Sequence, residues 1–158
     1  MIILRDILYK VAIEVVKGST EMCINKIEFD SRKVQPGFLF VAIRGTQSDG
    51  HGYIEKAASS GAVAILAEKL PEAISEKITY VTVKDSSKAL GIIASNFYGN
   101  PSSKLKLIGV TGTNGKTTTV TLLFNLFKNL GFISGLISTV KNQINDRVIP
   151  ATHTTPDA

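Results

Sequence analysis

The sequence predicts an α/β protein in two parts, a small N-terminal α/β domain over residues 1–99 and the beginning of a second domain over 100–158. Short apolar runs alternate with segments of helical periodicity in the first part. A cluster of turn-forming residues over 99–103 (GNPSS) separates the two parts. A strand, a glycine-rich turn and a helix then follow over 106–131, which is the order of a parallel α/β unit.

Composition and charge indicate a globular protein. Hydrophobic residues make up 44% and charged residues 20% of the 158 residues, the balance of a packed domain. The net charge of +5 comes from scattered basic residues, so we expect no nucleic-acid partner. No apolar run reaches the ~18 residues of a membrane span, and the N-terminus lacks the features of a secretory signal. We therefore expect a cytoplasmic monomer without membrane contact, in which the single cysteine, Cys23, is a small buried residue.

Three helices are predicted in the first part. Apolar residues with helical spacing indicate a first helix over 2–11. Ile54, Ala57, Ala58 and Gly61 mark a helical face, mostly of small residues, that could pack closely on a sheet. A third helix should begin at Ser86 or Ser87, because a serine hydroxyl can accept a hydrogen bond from the first helical N–H groups.

Apolar and alternating runs predict the strands of this part. The run 38–43 (FLFVAI) is almost continuous, which is typical of a strand that is buried on both faces. The segment 45–52 between this run and the second helix is a polar loop. The full set of predicted strands covers residues 24–29, 38–43, 62–67 and 80–83.

The second part should contain one strand–helix–strand unit of a parallel sheet. Apolar residues predict strands at 107–110 and 133–139, with a polar turn at 142–147. The helix between the strands has an apolar face formed by Val120, Leu123, Phe124, Phe127 and Leu130.

The glycine-rich turn before this helix has the composition of a phosphate-binding loop. Gly109, Gly112 and Gly115 leave room for backbone N–H groups to surround an anion, and the helix N-terminus adds its positive dipole end. The side chain of Lys116 can reach the outer phosphates of ATP, and the hydroxyl of Thr117 can bind Mg²⁺. We therefore predict an ATP and Mg²⁺ site with Lys116 as its catalytic cation. The alternative is a glycine-rich structural turn that binds no ligand.

The match to the general P-loop pattern is inexact. G-x-x-x-x-G-K-[ST] requires glycine at position 110, whereas the sequence has Val110 there and a glycine one place earlier, at Gly109.

Residues 109–118 (GVTGTNGKTT) resemble the ATP loop of the Mur ligases, which build the peptide of the bacterial cell wall, in the variant form with Gly109. The GTNGKT core is shared with the related folylpolyglutamate synthases. The second part therefore looks like the start of a P-loop-type parallel α/β domain. The resemblance implies that ATP is bound by Gly112, Thr113, Asn114, Gly115, Lys116, Thr117 and Thr118.

Two further segments resemble particular members of this family. Residues 30–42 (DSRKVQPGFLFVA) are similar to a signature of the ligases that add the third residue and of those that add the terminal dipeptide. Asp49-Gly50-His51 and residues 61–64 extend that similarity, and folylpolyglutamate synthases lack this domain. Residues 154–157 (TTPD) resemble the TTP motif of the third-residue ligase.

The resemblance implies an ATP-dependent ligase acting on UDP-N-acetylmuramoyl-L-alanyl-D-glutamate. The incoming diamino acid would be meso-diaminopimelate or L-lysine. In this family the D-glutamate carboxylate is phosphorylated and the amine then attacks the acyl phosphate. Three other readings remain open: a UDP-sugar-binding module with a non-catalytic P-loop, a P-loop regulatory switch, and the dipeptide-adding ligase.

The resemblance also implies a substrate site. Ser31 resembles the serine that contacts the uridine diphosphate, and Phe29 lines the same site. The remaining residues predicted to bind substrate are Thr46, Gln47 and Ser48 in the nucleotide loop, and Thr154 and Thr155, with His153 directly before them, at the muramoyl-peptide.

Each of these assignments has a structural alternative. Asp30 and Ser31 could simply end a strand, and 47–50 could be an ordinary polar loop. Thr154 and Thr155 could be extended backbone before a proline. His51 is predicted to pack in its loop, because no carboxylate partner can be identified from the sequence.

The family further implies a downstream acidic metal ligand, a modified lysine and a third domain that selects the amino acid. We expect none of these within 158 residues. The sequence therefore predicts an N-terminal piece of a longer enzyme that is inactive by itself.

Overall fold

The computed structural model describes residues 2–45 and 48–150 and divides the chain into two compact units, Met1–Leu105 and Lys106–Ala158. The sequence places the boundary at residue 99 instead. The residues between the two positions include a 3₁₀ helix, Pro101–Lys104. The backbone N–H of Asn100, just before this helix, donates to the Ser95 carbonyl at 2.7 Å.

The first unit is a mixed α/β sandwich, and the predicted fold class is confirmed. Its elements in chain order are β1 (Ile2–Ile3), α1 (Leu4–Ile7), β2 (Ile13–Lys17), β3 (Cys23–Ile24), β4 (Lys26–Glu28), β5 (Phe38–Val41), a 3₁₀ helix (Gly50–Tyr53), α2 (Ile54–Ser59), β6 (Ala64–Ala67), β7 (Thr79–Val83) and α3 (Ser86–Phe97).

The central sheet has five strands in the order β2-β7-β6-β5-β4. Strands β4 to β7 run parallel to one another, and the edge strand β2 is antiparallel to β7. The register pairs Phe40 with Ile65 and Ile65 with Tyr80. Because the strands β4 to β7 are parallel, their carboxyl ends all lie at one edge of the sheet.

Two apolar cores cover the faces of this sheet. Leu39 and Val41 belong to the core that includes α1 and α3. Phe40 and Ala42 belong to the core that includes α2. Successive residues of a strand point to opposite faces, so β5 is buried on both sides, as its continuous apolar run predicts.

Several predicted boundaries in this unit differ from the observed ones. The predicted helix over 2–11 contracts to α1, because Ile2–Ile3 pair with β3 instead. The edge strand β2 was not predicted, although Ile13, Val15 and Val16 are typical strand residues; all of its residues are exposed. Cys23 is exposed and not buried, because it lies in the two-stranded β1–β3 ribbon with its side chain outward.

The N-terminus of α3 is capped by a residue other than the predicted serines. The carboxylate of Asp85 accepts a hydrogen bond from the Lys88 backbone N–H at 2.8 Å. Ser86 is buried, and its hydroxyl donates to the carboxylate of Glu68. An aspartate is as good an N-cap as a serine, so three adjacent candidates could not be separated by residue type.

The second unit contains α4 (Lys116–Asn129) and the strands β8 (Gly135–Ile137), β9 (Lys141–Ile144) and β10 (Arg147–Pro150). These strands form an antiparallel sheet in the order β10-β9-β8. The predicted polar turn over 142–147 is in fact a β-hairpin. Its two-residue loop is Asn145-Asp146, and Asn145 has a φ of 47°, as tight hairpin turns require.

The predicted strand at 107–110 is not formed. Leu107 is 72% and Ile108 58% exposed, and no strand of the described ranges lies beside them. A parallel strand needs ladder partners and covered faces, and this part of the chain supplies neither.

The apolar face of α4 is also only partly covered: Phe124 is buried but Leu130 is exposed. Within 2–45 and 48–150, no helix is long and apolar enough to cross a membrane.

Candidate functional site

A cleft of about 420 Å³ lies in the first unit, beside the carboxyl ends of β4 and β5. Ligands of parallel α/β sheets bind at this edge, because the loops there leave room above the strand ends. The cleft is lined by Phe29, Asp30, Ser31, Arg32, Ile43, Gly45, Ser48, Gly50, Tyr53 and Lys56.

The structure brings three of the predicted substrate residues together in this cleft: Phe29, Ser31 and Ser48. Ser31 is buried and Ser48 is exposed. The other five predicted substrate residues lie outside the described residues: Thr46, Gln47, His153, Thr154 and Thr155.

The buried carboxylate of Glu28 shapes the turn that presents Ser31. Its Oε1 accepts the backbone N–H groups of Phe29 and Asp30, both at 3.2 Å. Its Oε2 accepts from Lys26 Nζ at 3.2 Å. Nothing in the sequence marks Glu28 as buried, because an acidic residue at the end of a short strand is usually solvated. These three hydrogen bonds fix the backbone conformation of the turn at the base of the cleft.

Asp30 and Arg32 form a two-bond ion pair at the rim of the cleft. Arg32 donates from Nε to Oδ1 at 2.9 Å and from Nη2 to Oδ2 at 2.8 Å. Arg32 also donates its backbone N–H to Oδ1 at 3.1 Å. The side-chain bonds, then the backbone bond, lower the pKa of Asp30 to about 2. Asp30 is therefore charged at neutral pH and fixes the guanidinium next to Ser31.

His51 has the carboxylate partner that the sequence did not reveal. Its Nδ1 lies 2.6 Å from Asp49 Oδ1. Asp49 also accepts the backbone N–H of His51 at 2.9 Å, as the N-cap of the 3₁₀ helix. Hydrogen bonds from the backbone and then the side chain of His51 lower the pKa of Asp49. The prediction that His51 only packs in its loop rested on the lack of a carboxylate partner, and the structure provides that partner.

The second unit carries the glycine-rich loop. Gly112 and Gly115 have φ values of 148° and 77°, which other residues adopt only with strain. A Cβ atom added at Gly115 would meet nothing within 4 Å. Backbone conformation, and not crowding, therefore requires glycine at this position.

Lys116 is the first residue of α4, and its ammonium group lies over the loop. Lys116 Nζ donates to the carbonyls of Gly112 at 2.5 Å and Thr113 at 3.3 Å. The N-cap Gly115 offers no side-chain hydrogen bond to the first turn. The loop therefore combines a cation with helical N–H groups that no N-cap side chain occupies, a combination that suits a polyphosphate. The half-buried Thr117 lies in the same turn, where its hydroxyl could bind a hard cation.

Comparison with known families gives two matches. The family model described as "Mur ligase family, catalytic domain" matches residues 24–98. The model described as "Mur ligase middle domain" matches residues 110–158. The second match includes the glycine-rich loop and α4.

Curated relatives match almost the whole chain. A ligase from Cytophaga hutchinsonii is 57% identical over 156 residues, which are 98% of this chain and 32% of that protein. A ligase from Bacteroides fragilis is 53% identical over 154 residues, again 98% of this chain and 32% of the relative. Both are named UDP-N-acetylmuramoyl-L-alanyl-D-glutamate–2,6-diaminopimelate ligase. This chain thus spans about a third of the length of the curated relatives that it matches.

Solved structures of known ligases share the fold of this chain. A UDP-N-acetylmuramoyl-L-alanyl-D-glutamate–2,6-diaminopimelate ligase matches with a TM-score of 0.70 and 22% identity, over 99% of this chain and 31% of that one. MurF ligase from Thermotoga maritima, solved in complex with ADP, matches with a TM-score of 0.52 and 38% identity, over 66% of this chain and 23% of that one. Two family models, close relatives and the shared fold agree with the resemblance of the sequence motifs, and the chain belongs to the Mur ligase family.

Proposed function

We propose that this chain forms part of an ATP-dependent ligase that joins meso-diaminopimelate to UDP-N-acetylmuramoyl-L-alanyl-D-glutamate during peptidoglycan precursor synthesis. One observation carries the proposal: relatives bearing that name are 57% and 53% identical across 98% of this chain. The incoming amine is diaminopimelate and not L-lysine in this proposal, because the names of these relatives specify it.

The cleft of the first unit is the proposed site for the uridine diphosphate part of the substrate. The buried hydroxyl of Ser31 and the aromatic ring of Phe29 line it. Lys56 adds positive charge to its lining, which suits a diphosphate, whereas the charge of Arg32 is balanced by its pair with Asp30. On this basis residues 1–99 form the substrate-binding domain.

The glycine-rich loop is the proposed site for ATP and Mg²⁺. Lys116 would hold the β- and γ-phosphates, with backbone contacts from 112–115 and the hydroxyl of Thr118. Thr117 would bind the metal. ATP supplies the phosphoryl group that turns a carboxylate oxygen into a leaving group, and the loop holds its negative charge in position.

The remaining assignments belong to the same proposal. Thr46, Gln47 and Ser48 would contact the nucleotide, and Thr154, Thr155 and His153 would contact the muramoyl-peptide. The enzyme would act as a monomer in the cytoplasm. The exposed free thiol of Cys23 is compatible with a reducing compartment.

The proposal is tested with the complete protein, by following ADP release with UDP-N-acetylmuramoyl-L-alanyl-D-glutamate and one amine at a time. We expect turnover with meso-diaminopimelate and little with L-lysine. Parallel reactions offer D-alanyl-D-alanine together with the UDP-tripeptide. Turnover only in those reactions would assign the dipeptide-adding activity. Binding of the UDP-substrate without ADP release under any condition would indicate a binding module.

A further inference from the structure

The imidazole of His51 bridges two parts of the fold. Its Nε2 accepts the backbone N–H of Glu68 at 2.9 Å, and its Nδ1 lies 2.6 Å from Asp49 Oδ1. A nitrogen that accepts an N–H donor carries no proton of its own, so in this geometry Nδ1 holds the proton and donates to Asp49. The side chain is only 13% exposed. Both polar atoms of the ring are therefore satisfied inside the fold.

This bridge ties the cleft loop to the central sheet. We define the cleft loop by its described residues, 44–45 and 48–50, which contribute Gly45, Ser48 and Gly50 to the lining. Asp49 lies near its end and pairs with Arg44 through an isolated antiparallel bridge. Glu68 directly follows β6, at the sheet edge where the cleft opens.

The carboxylate of Glu68 anchors the start of the same loop. Its Oε2 lies 3.2 Å from Arg44 Nε. Its Oε1 accepts both the backbone N–H and the hydroxyl of Ser86, each at 3.1 Å. The cleft loop is thus fastened to Glu68 at both ends: Arg44 pairs with the side chain, and Asp49 reaches the backbone through His51.

We propose that His51 is a positioning residue that holds the cleft loop against the end of β6 and thereby sets the affinity of the cleft for its nucleotide ligand. This inference rests on the proposed function, because it takes the ligand to be the UDP part of the acceptor substrate. His51 acts through Asp49 and the loop: within the described chain, its neighbours Gly50 and Tyr53 line the cleft and His51 does not.

Two side-chain replacements separate this role from simple packing. In His51→Gln the terminal amide oxygen can take the place of Nε2 and accept the Glu68 N–H. The backbone N–H of residue 51 still donates to Asp49, so the loop stays attached to Glu68. In His51→Asn the shorter amide can replace only the Nδ1 donor to Asp49. His51→Ala removes both bonds. A residue that served only to fill space would give a graded loss in order of volume, with His51→Asn between His51→Gln and His51→Ala. Loss of the Glu68 bond instead makes His51→Asn as harmful as His51→Ala.

The experiment measures kcat and KM for UDP-N-acetylmuramoyl-L-alanyl-D-glutamate and for ATP in the complete protein and in each variant. We expect His51→Ala and His51→Asn to raise KM for the UDP-substrate by about tenfold, because both variants lose the bond to the Glu68 N–H. The kcat and the KM for ATP should stay near the wild-type values. His51→Gln should remain within about threefold of wild type for every parameter.

Two results would overturn the inference while leaving the proposed function intact. The first is a KM for the UDP-substrate that stays at the wild-type value in every variant. The second is an equal rise in that KM in His51→Gln and His51→Ala. If the variants do not fold, hydrogen exchange of the Glu68 amide in the wild-type protein decides. Saturating UDP-substrate should slow that exchange, because ligand contacts with Ser48 and Gly50 would oppose local opening next to the Glu68 amide, and an unchanged rate would contradict the clamp. Wild-type protein that binds no UDP-substrate would refute the proposed function, and this inference with it.

Discussion

Gly61 approaches Pro36 so closely that a Cβ atom at position 61 would lie 2.9 Å from Pro36 Cγ and 3.0 Å from Pro36 Cα. Gly61 has a φ of 97°, and its carbonyl accepts the Gly37 N–H at 3.1 Å. The turn after α2 is therefore packed on the turn before β5. This contact fixes the start of the strand from which the cleft loop emerges.

We predict that Gly61→Ala destabilises the protein by about 1–3 kcal/mol, because the new methyl group meets backbone atoms and the positive φ disfavours alanine. Chemical denaturation measures the change in the free energy of unfolding. Gly91→Ala is the matched control: this glycine lies in α3, and an added Cβ meets nothing within 4 Å. That variant should gain about 0.5–1 kcal/mol from helix propensity. Equal effects of the two substitutions would contradict the close contact at Gly61.

The Asp30–Arg32 pair predicts an acid-dependent contribution to stability. The pKa of Asp30 is lowered to about 2 in the folded protein, whereas an unperturbed aspartate has a pKa of about 3.9. A lowered pKa stabilises the folded state fully above the unfolded pKa, and the effect is lost as pH falls through the folded pKa.

The free energy of unfolding of wild type minus that of Asp30→Asn should therefore be constant above about pH 5 and shrink as pH falls from about 4 to about 2. Lys33→Ala serves as the control. Lys33 Nζ lies 3.9 Å from Asp30 Oδ2, and its removal leaves all three Arg32 bonds in place. A difference that does not vary between pH 5 and pH 2 would show that the pair does not form in solution.

Glu28 should be needed for both stability and substrate affinity. Glu28→Ala leaves the N–H groups of Phe29 and Asp30 without their acceptor, which costs about 1–3 kcal/mol when such groups remain buried. The turn that presents Ser31 should loosen as well, raising KM for the UDP-substrate. Glu28→Gln retains one acceptor oxygen and should lose less in both denaturation and KM. The same loss in both variants would mean that the carboxylate charge, and not the N–H contacts, is what matters.

The first unit was largely predictable because its signals are local. The run at 38–43 could be buried on both faces only as an interior strand, and Leu39, Phe40 and Val41 are fully buried in the structure. Burial of Glu28 and the His51–Glu68 bond depend on residues that only the fold brings together. No pattern around Glu28 or His51 distinguishes them from solvated side chains.

The second unit shows the limit of periodicity. Leu107 and Ile108 have the pattern of a buried strand, yet a strand forms only where neighbouring strands provide hydrogen bonds, and none lies beside them in the described residues. The hairpin over Lys141–Pro150 was missed for the opposite reason. Its first strand, β9, is mostly polar, and the pairing of the two strands is set by the Asn145-Asp146 turn.

The last prediction concerns Lys116, which can act in one of two ways. Its ammonium binds the carbonyls of Gly112 and Thr113, so it could stabilise the loop alone or hold phosphate there. If it holds the β- and γ-phosphates, Lys116→Ala removes a positive charge where negative charge must be stabilised during transfer. Loss of one such preorganised group lowers the rate about 100- to 1,000-fold. Thr117→Ala should lower turnover by a similar order, because Mg²⁺ prefers hard oxygen ligands.

Turnover of the complete protein, its melting temperature and its KM for the UDP-substrate together separate the two readings of Lys116. The ATP reading requires a large fall in turnover with little change in melting temperature or in KM for the UDP-substrate. The structural reading requires a lower melting temperature with normal turnover per folded molecule. Lys128→Ala is the matched control, since this lysine lies in the last turn of the same helix and pairs with Asp146. It removes an equal charge at the opposite end of α4 and should leave turnover near wild type. Normal turnover in Lys116→Ala would refute the assignment of the loop to ATP.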